Sequence, residues 1–301
     1  MKEGSLLTAY RRALEAGACA DLPAILRAVQ WRESLTSTNS ILREAAICGA
    51  REGLLLMADQ QTAGRGSNGR SFYSPPSAGL YMSLLLRPNV AAKRLHFVTA
   101  AVALAVRRCF QDAFTMDLGI KWMNDLLLND RKVGGILTET RLASNGEARA
   151  AASSPFVSFL VIGVGLNLYE NGSAFPSDLV SIAGAIFSGS APERERLDAL
   201  RLQIAAGVWA AFTPLYYEIL HAEEGRPPAG FVEAYREASV ILGRSLDYEA
   251  SPGAEKLRGV CVDIDERCRP VLRLPDDGQI CVESGRLFLR AQQPQPGAEQ
   301  T

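Results

Sequence analysis

The stretch from Ser245 to Arg290, SLDYEASPGAEKLRGVCVDIDERCRPVLRLPDDGQICVESGRLFLR, changes the character of the chain and decides its fold class. It reads as four short strands, SLDYEA, LRGVCVDID, PVLRLP and QICVESGRLFLR. The turn signal DDG (276–278) separates the last two. A segment of about 50 residues patterned in this way is the size of a small, separate β-barrel. The tail that follows, AQQPQPGAEQT, is rich in Pro and Gln and is expected to be disordered over 292–301.

Upstream, helices and strands mix. Residues 5–16 put Leu6, Leu7, Tyr10 and Leu14 on one helical face, with Gly17 as a stop. Ser37, Thr38 and Asn39 are able N-caps ahead of SILREAAICG. GLLLMAD (53–59) and GLYMSLLLRP (79–88) read as buried strands, and KRLHFVTAAVALAVRRCFQDAF (93–114) as one long helix. Three β-rich pieces follow, IKWMNDLLLN, RKVGGILTETRL and FVSFLVIGVGLNLY. An exposed, mobile loop is expected over 143–155, between the last two of them. Residues 193–222 read as helical, and another helix opens after Pro227 and Pro228 and runs to near Gly243. Without a regular βαβ alternation, and with an all-β segment at the end, the fold class is α+β rather than a doubly wound parallel sheet.

Composition narrows the function. Lys plus Arg (32) nearly balances Asp plus Glu (33), so no nucleic-acid or membrane surface is indicated. No apolar run approaches the ~18 residues that span a bilayer. Arg11 and Arg12 interrupt what would be the apolar core of a signal peptide. The cysteines at 19, 48, 109, 261, 268 and 281 form no C-x-x-C pair, and His96 and His221 stand alone. Free thiols in a reducing cytoplasm are therefore expected, with no zinc-type ligand set and no disulfide framework.

The chemistry gathers elsewhere. DQQTAGRGSNGRSFYSP (59–75) sets three glycines and two arginines between the two buried strands. Bare backbone N–H groups can cradle an anion, and Arg65 and Arg70 add planar donors suited to carboxylate or phosphate. The segment is neither a Walker A loop nor a G-x-G-x-x-G that opens a helix. A long surface hairpin whose arginines keep it soluble fits its composition equally well. KWMND (121–125) combines Lys121, Asn124 and Asp125, and KVGG places Lys132 beside two glycines. GVGLN (163–167) ends an apolar strand in two glycines and an amide, which suits a close approach by a ligand or another backbone. Singly, Lys121 with Asp125 reads as a surface ion pair and Gly134–Gly135 as a bulge. Four such spots on successive strands point to one ligand site.

In this order, STN, QQTAGRG, NGRSFYSP, GLYMSLLLRP, KWMND, KVGGILTE and GVGLN resemble the biotin protein ligases, from about Ser34 to about Arg290. The resemblance implies a short N-terminal extension over 1–30 and a class II aminoacyl-tRNA-synthetase-like catalytic domain over 31–243, with a mixed, mainly antiparallel sheet. An SH3-like domain follows over 244–291. It also implies biotin and ATP as substrates, Mg²⁺, a biotinyl-5′-AMP intermediate, and a biotin carboxyl carrier protein as partner. Arg65, Arg70 and Lys132 are the implied catalytic set. Ser37, Thr38, Asn39 and Gln61, then Gly64, Gly66 and Ser67, with Gly135, Gly163 and Gly165, are implied to receive biotin, the last three by letting backbone approach its rings. Arg70 is matched to pyrophosphate and Phe72 to the adenine. Lys121, Asn124, Asp125 and Asn167 are matched to phosphates, ribose or metal. The glycine-rich loop is expected to order over ligand as a lid.

The sequence departs from the family pattern at Ser67, where arginine is usual, and at Met123, where proline or a β-branched residue is common. The first removes a charge from the ligand loop. Residues 245–291 bear no anion-binding signature and are expected to seat ATP or the carrier rather than biotin. Two further readings stand: a lipoate–protein ligase-like acyl transferase, and a biotin-sensing regulator without ligase activity. The roughly thirty residues before WRESLTSTN are short for a winged-helix module, so no DNA partner is expected. Monomer and homodimer are both compatible with the sequence.

Overall fold

The computed structural model describes residues 2–17, 21–143, 155–170 and 175–290. Cys19, the interior of the 143–155 loop and the 292–301 tail lie outside the described residues. A seven-stranded sheet forms the larger part. It uses β1 (Ala28–Leu35), β2 (Leu54–Gln61), β3 (Gly79–Leu86), β4 (Gly119–Lys121), β5 (Asp125–Leu128), β6 (Arg131–Leu142) and β7 (Val157–Asn167). Their spatial order is β1-β2-β3-β7-β6-β5-β4. Strands β3 and β7 lie in the middle because their apolar runs, GLYMSLLL and VSFLVIGVGLN, suit burial on both faces.

Helices α1 (Lys2–Ala16), α3 (Val98–Phe114) and α4 (Arg194–His221) cover one face of the sheet. Helix α2 (Thr38–Ile47) covers the other, where Leu42 and Ala46 pack on Leu56, Leu85, Phe159 and Val161. Helix α1 belongs to the core: Leu6 and Tyr10 are fully buried, and the Tyr10 hydroxyl meets Thr213 Oγ1 at 3.0 Å and accepts from the Ile25 amide at 3.0 Å. The five described cysteines are free. Burial pushes the thiols of Cys109 and Cys268 up to about 12 and that of Cys261 to about 11, so all three are inert packing.

The structure corrects several boundaries. AVQWRESL forms β1 although its alternation is weak; parallel pairing with β2 supplies the backbone bonds that its side chains do not advertise. With α2 as crossover, β1 and β2 make one parallel βαβ unit, while the other pairings of this sheet are antiparallel. The long helix expected over 93–114 starts as a 3₁₀ segment at Ala92–Phe97 and becomes α-helical at Val98. Helix α5 (Phe231–Ala238) stops short of Gly243, because Val240 turns aside to donate its amide to Ile120 O at 3.0 Å.

The C-terminal segment holds five strands rather than four: β8 (Ser245–Glu249), β9 (Leu257–Ile264), β10 (Pro270–Arg273), β11 (Gln279–Cys281) and β12 (Arg286–Leu289). QICVESGRLFLR breaks at Gly285, whose φ of 105° disfavours a side chain. The antiparallel order is β11-β10-β9-β8-β12, and among the described residues no pairing of β11 with β12 closes the sheet into a barrel.

A buried charge cluster ties α4 to both stems of the glycine-rich segment. Asp59, near the end of β2, accepts from Trp31 Nε1 (2.7 Å), Arg201 Nη1 (3.0 Å) and Arg194 Nη2 (2.9 Å). Arg201 is 2% exposed; it also donates to Asp198 Oδ1 (3.2 Å) and, through Nε, to the carbonyl of Gly79 at the start of β3 (2.8 Å). Removing one member strands the others in low dielectric. Asp59→Ala should therefore cost about 3 kcal/mol of stability, a loss readable in a denaturant titration. A change within about 0.5 kcal/mol would show that Asp198 alone satisfies Arg201.

Candidate active site

A cavity of about 610 Å³ opens between the N-terminus of α2, the glycine-rich segment, the ends of β5 to β7 and strand β12. Its floor is uncharged and polar. Ser37 caps α2, its side chain accepting from the Ser40 amide. Thr38 donates its amide (2.8 Å) and its hydroxyl (3.1 Å) to Gln61 Oε1. Gln61 Nε2 in turn donates to Ser74 Oγ at 2.9 Å. Asn39 is buried; its Oδ1 accepts from Ser83 Oγ at 2.6 Å and its Nδ2 donates to Leu137 O at 3.1 Å.

The glycine-rich segment is a hairpin that forms one wall of the cavity, so the two readings of its sequence meet in one structure. Phe72 N donates to Gly64 O (2.8 Å) and Gly66 N to Arg70 O (2.7 Å). A Cβ at Gly64 would run into the carbonyl of Phe72, so the hairpin's crossing needs glycine. Arg65 pairs with Glu139 at 3.1 Å. Arg70 folds back on Ser67, donating Nε to its carbonyl (3.2 Å) and Nη2 to its hydroxyl (2.9 Å). Ser67 thus positions one arginine where the family usually has another.

The other glycines serve side chains of this chain. A Cβ on Gly163 would overlap Asn39 Oδ1, and one on Gly165 would stand 2.7 Å from the Phe72 ring. Gly135 faces Lys132 and the same ring at 3.6 Å. Phe72 therefore lies against β6 and β7, edge-on to Tyr81 with ring centroids 6.4 Å apart, and stays half-buried in the cavity lining. At the two positions where β7 has no side chain, the side chains of Asn39 and Phe72 come close.

Opposite the floor, Asp125 pairs with Lys132 and, at 3.7 Å, with Lys121. Asn124 and Asn167, matched above to phosphates or metal, commit their amide nitrogens to the scaffold. Asn124 Nδ2 donates to Ile136 O (2.9 Å), and Asn167 Nδ2 to Gly184 O (3.1 Å). These bonds fix the turn before β5 and the 183–186 wall, and leave the amide oxygens and one N–H of each amide for a ligand.

The sequence reading missed the contribution of the C-terminal sheet. Arg286 and Phe288 of β12 and Arg290 just after it line the cavity, and Arg244 joins them just before β8. Phe288 carries Lys256 Nζ at 4.3 Å and the Arg286 guanidinium at 5.0 Å from its ring centre. Their one visible signal was R-x-F-x-R in a strand, three residues on one face. This corrects the expectation that residues 245–291 bear no anion-binding signature.

A profile of the Biotin/lipoate A/B protein ligase family matches residues 31–152. A biotin–[acetyl-CoA-carboxylase] ligase of Paracoccus denitrificans is 32% identical over 240 residues, 75% of this chain and 86% of that protein. The chain belongs to the biotin/lipoate protein ligase family. Among the ligase family's bifunctional members, the ligase/repressor BirA of Bacillus subtilis is 34% identical over 166 residues, 55% of this chain and 48% of that protein. The chain thus spans about half the length of such relatives. The fold is also that of the biotin protein ligase from Aquifex aeolicus solved in complex with biotin and ATP. The TM-score is 0.63 at 23% identity, covering 88% of this chain and 99% of that one. The α+β class therefore holds.

Lys121 gives the chain a pH signature. Burial holds its ammonium below the ordinary lysine value of 10.5; Asp125 opposes that shift, and Lys132, Arg70 and Arg286 reinforce it. With the folded value below the unfolded one, the charged form costs stability, fully so at pH below the folded value. The cost fades as pH rises from there toward 10.5. The stability difference between Lys121→Met and the parent should then shift in the parent's favour at alkaline pH. Parallel denaturation curves at neutral pH and near pH 10 would expose an unshifted difference, and with it a normal lysine.

Proposed function

We propose that this chain activates biotin with ATP and passes the biotinyl group to a lysine of a biotin carboxyl carrier domain. The reading rests on one observation: a polar, uncharged floor faces a cluster of cations across a single cavity. Biotin's ureido group, with two N–H donors and a carbonyl acceptor, suits the hydroxyls and amides of Ser37, Thr38, Asn39 and Gln61. Its carboxylate would extend toward the cations.

In the first step a carboxylate oxygen attacks the α-phosphorus of ATP, the bond to the departing pyrophosphate breaks, and biotinyl-5′-AMP forms. Two anions must meet, so positive charge and positioning matter more than a covalent nucleophile. Lys132, Arg65 and Gly66 are assigned to the carboxylate and α-phosphate. Arg70, Lys121, Arg286 and Arg290 are assigned to the outgoing pyrophosphate. In the second step the carrier's lysine amine attacks the acyl carbon and AMP leaves.

Mg²⁺ is proposed to arrive on the ATP phosphates. Asp125 and Asp130 in the cavity wall are each paired with a cation, and no group of three His, Cys, Asp or Glu among the described residues is placed to hold a metal. No described helix is long and apolar enough to cross a membrane. The carrier domain would belong to a biotin-dependent carboxylase, with the reaction placed in the cytoplasm.

Biotin-dependent exchange of pyrophosphate into ATP tests the first step directly. The parent should catalyse it with biotin, and lipoate should neither replace nor compete with biotin. Lys132→Ala removes a charged contact worth ~1.5–3 kcal/mol and should slow exchange by about ten- to a hundredfold. Lys121→Ala, farther from Asp125, should do less. Equal activity in the two variants would reverse the assignment of the central lysine, and a folded parent without exchange would sink the reading.

A further inference from the structure

Glu139 lies outside the cavity lining yet touches both parts of the site. Its carboxylate meets Arg65 Nη1 at 3.1 and 3.3 Å and accepts from Asn39 Nδ2 at 3.0 Å. From Asn39 a continuous polar path runs beneath the floor: Ser83 Oγ joins Asn39 Oδ1 (2.6 Å) to Thr38 Oγ1 (2.7 Å), and Thr38 bonds Gln61 (3.1 Å). Gln61 reaches Ser74 (2.9 Å), whose hydroxyl donates to Phe72 O (3.0 Å). The path therefore starts on one arm of the glycine-rich hairpin, at Arg65, and returns to its other arm, at Phe72.

At Arg65 only Nη1 carries a hydrogen bond among the described residues, to Glu139 and, at 3.5 Å, to Ser40 Oγ. The guanidinium is a planar fork of five N–H donors, so anchoring one nitrogen aims the rest and leaves an edge for a second carboxylate. A side chain that is 42% exposed would otherwise sample many rotamers, and fixing them after binding costs affinity.

We propose that Glu139 is a positioning residue, which holds Arg65 in register with the polar floor so that a ligand's ring and its carboxylate are recognised together. This rests on the reading of biotin as substrate. The geometry separates two jobs of one carboxylate: the ion pair serves the ligand's anion, and the Asn39 bond serves the ligand's ring.

Two ligands and two variants test the separation. Biotin and biotinol, its alcohol analogue, share the rings and differ in the carboxylate. Glu139→Gln keeps an oxygen acceptor for Asn39 but loses the ion pair. It should weaken biotin binding by about fivefold and leave biotinol within about twofold, measured calorimetrically on the full chain. Glu139→Ala, which also removes one of the two bonds from Asn39 Nδ2, should weaken both ligands. A folded Glu139→Gln protein that binds biotin as the parent does, or that loses both ligands equally, would overturn the proposal. A folded parent that binds neither ligand would overturn the substrate reading itself, and this inference with it.

Discussion

Two side-chain-free positions on β7 set the architecture of the site. Gly163 stands opposite Ser83 on β3 and Leu137 on β6, and Gly165 stands opposite Tyr81 and Gly135. At these points the middle of a close-packed sheet offers bare backbone. Asn39 occupies the first space and brings the N-terminus of α2 down onto the sheet. The Phe72 ring occupies the second and brings down the glycine-rich hairpin. An alanine at either position would lift one of these elements by the width of a methyl group, and close packing leaves little room to absorb it. The floor and one wall of the cavity thus follow from two absent side chains.

Charge organises what the glycines leave open. Lys121, Lys132, Arg70 and Arg286 are near enough for the other three to depress Lys121, so together they form a convergent positive field. Asp125 lies between the two lysines and makes their proximity tolerable without neutralising the arginines. Such a field in a walled cavity is stronger than the same charges on open surface, because fewer water dipoles screen it. The chain's overall balance of acids and bases conceals this, since the asymmetry is local.

Legibility in the sequence divided along physical lines. β3 and β7 could be read because burial on both faces demands continuous apolar residues, whereas β1 could not, because an edge strand beside a helix needs few of them. The glycines of β7 were read as points of close approach by a ligand or another backbone, and sequence did not reveal that the side chains of Asn39 and Phe72 come close there. Asn124 and Asn167 were matched to phosphates, ribose or metal; a side-chain amide can also bond a neighbouring carbonyl, and only the fold reveals which carbonyl is near. Arg286 and Arg290 escaped notice because their meaning depends on where one sheet lies against another.

That placement has its own small-residue origin. A Cβ on Gly119 of β4 would overlap Val240 Cγ1, so glycine there lets the segment after α5 lie against the sheet edge. Seated in this way, Val240 bonds Ile120, and four residues later Arg244 reaches Asp130 in the turn between β5 and β6. Ser245 then opens β8, and β8 pairs with β12 from Glu249–Arg286 to Leu246–Leu289. The register carries Arg286 and Phe288 to the cavity, and the Arg244–Asp130 ion pair and the bond from Arg236 Nε to Ile264 O (2.7 Å) hold the sheet there. The cationic end of the site is therefore assembled from two sheets by a steric fit and a few polar contacts at the junction between them. The half-buried Arg286 of β12 faces the same cavity as Lys121 in part because Gly119 leaves room for a valine.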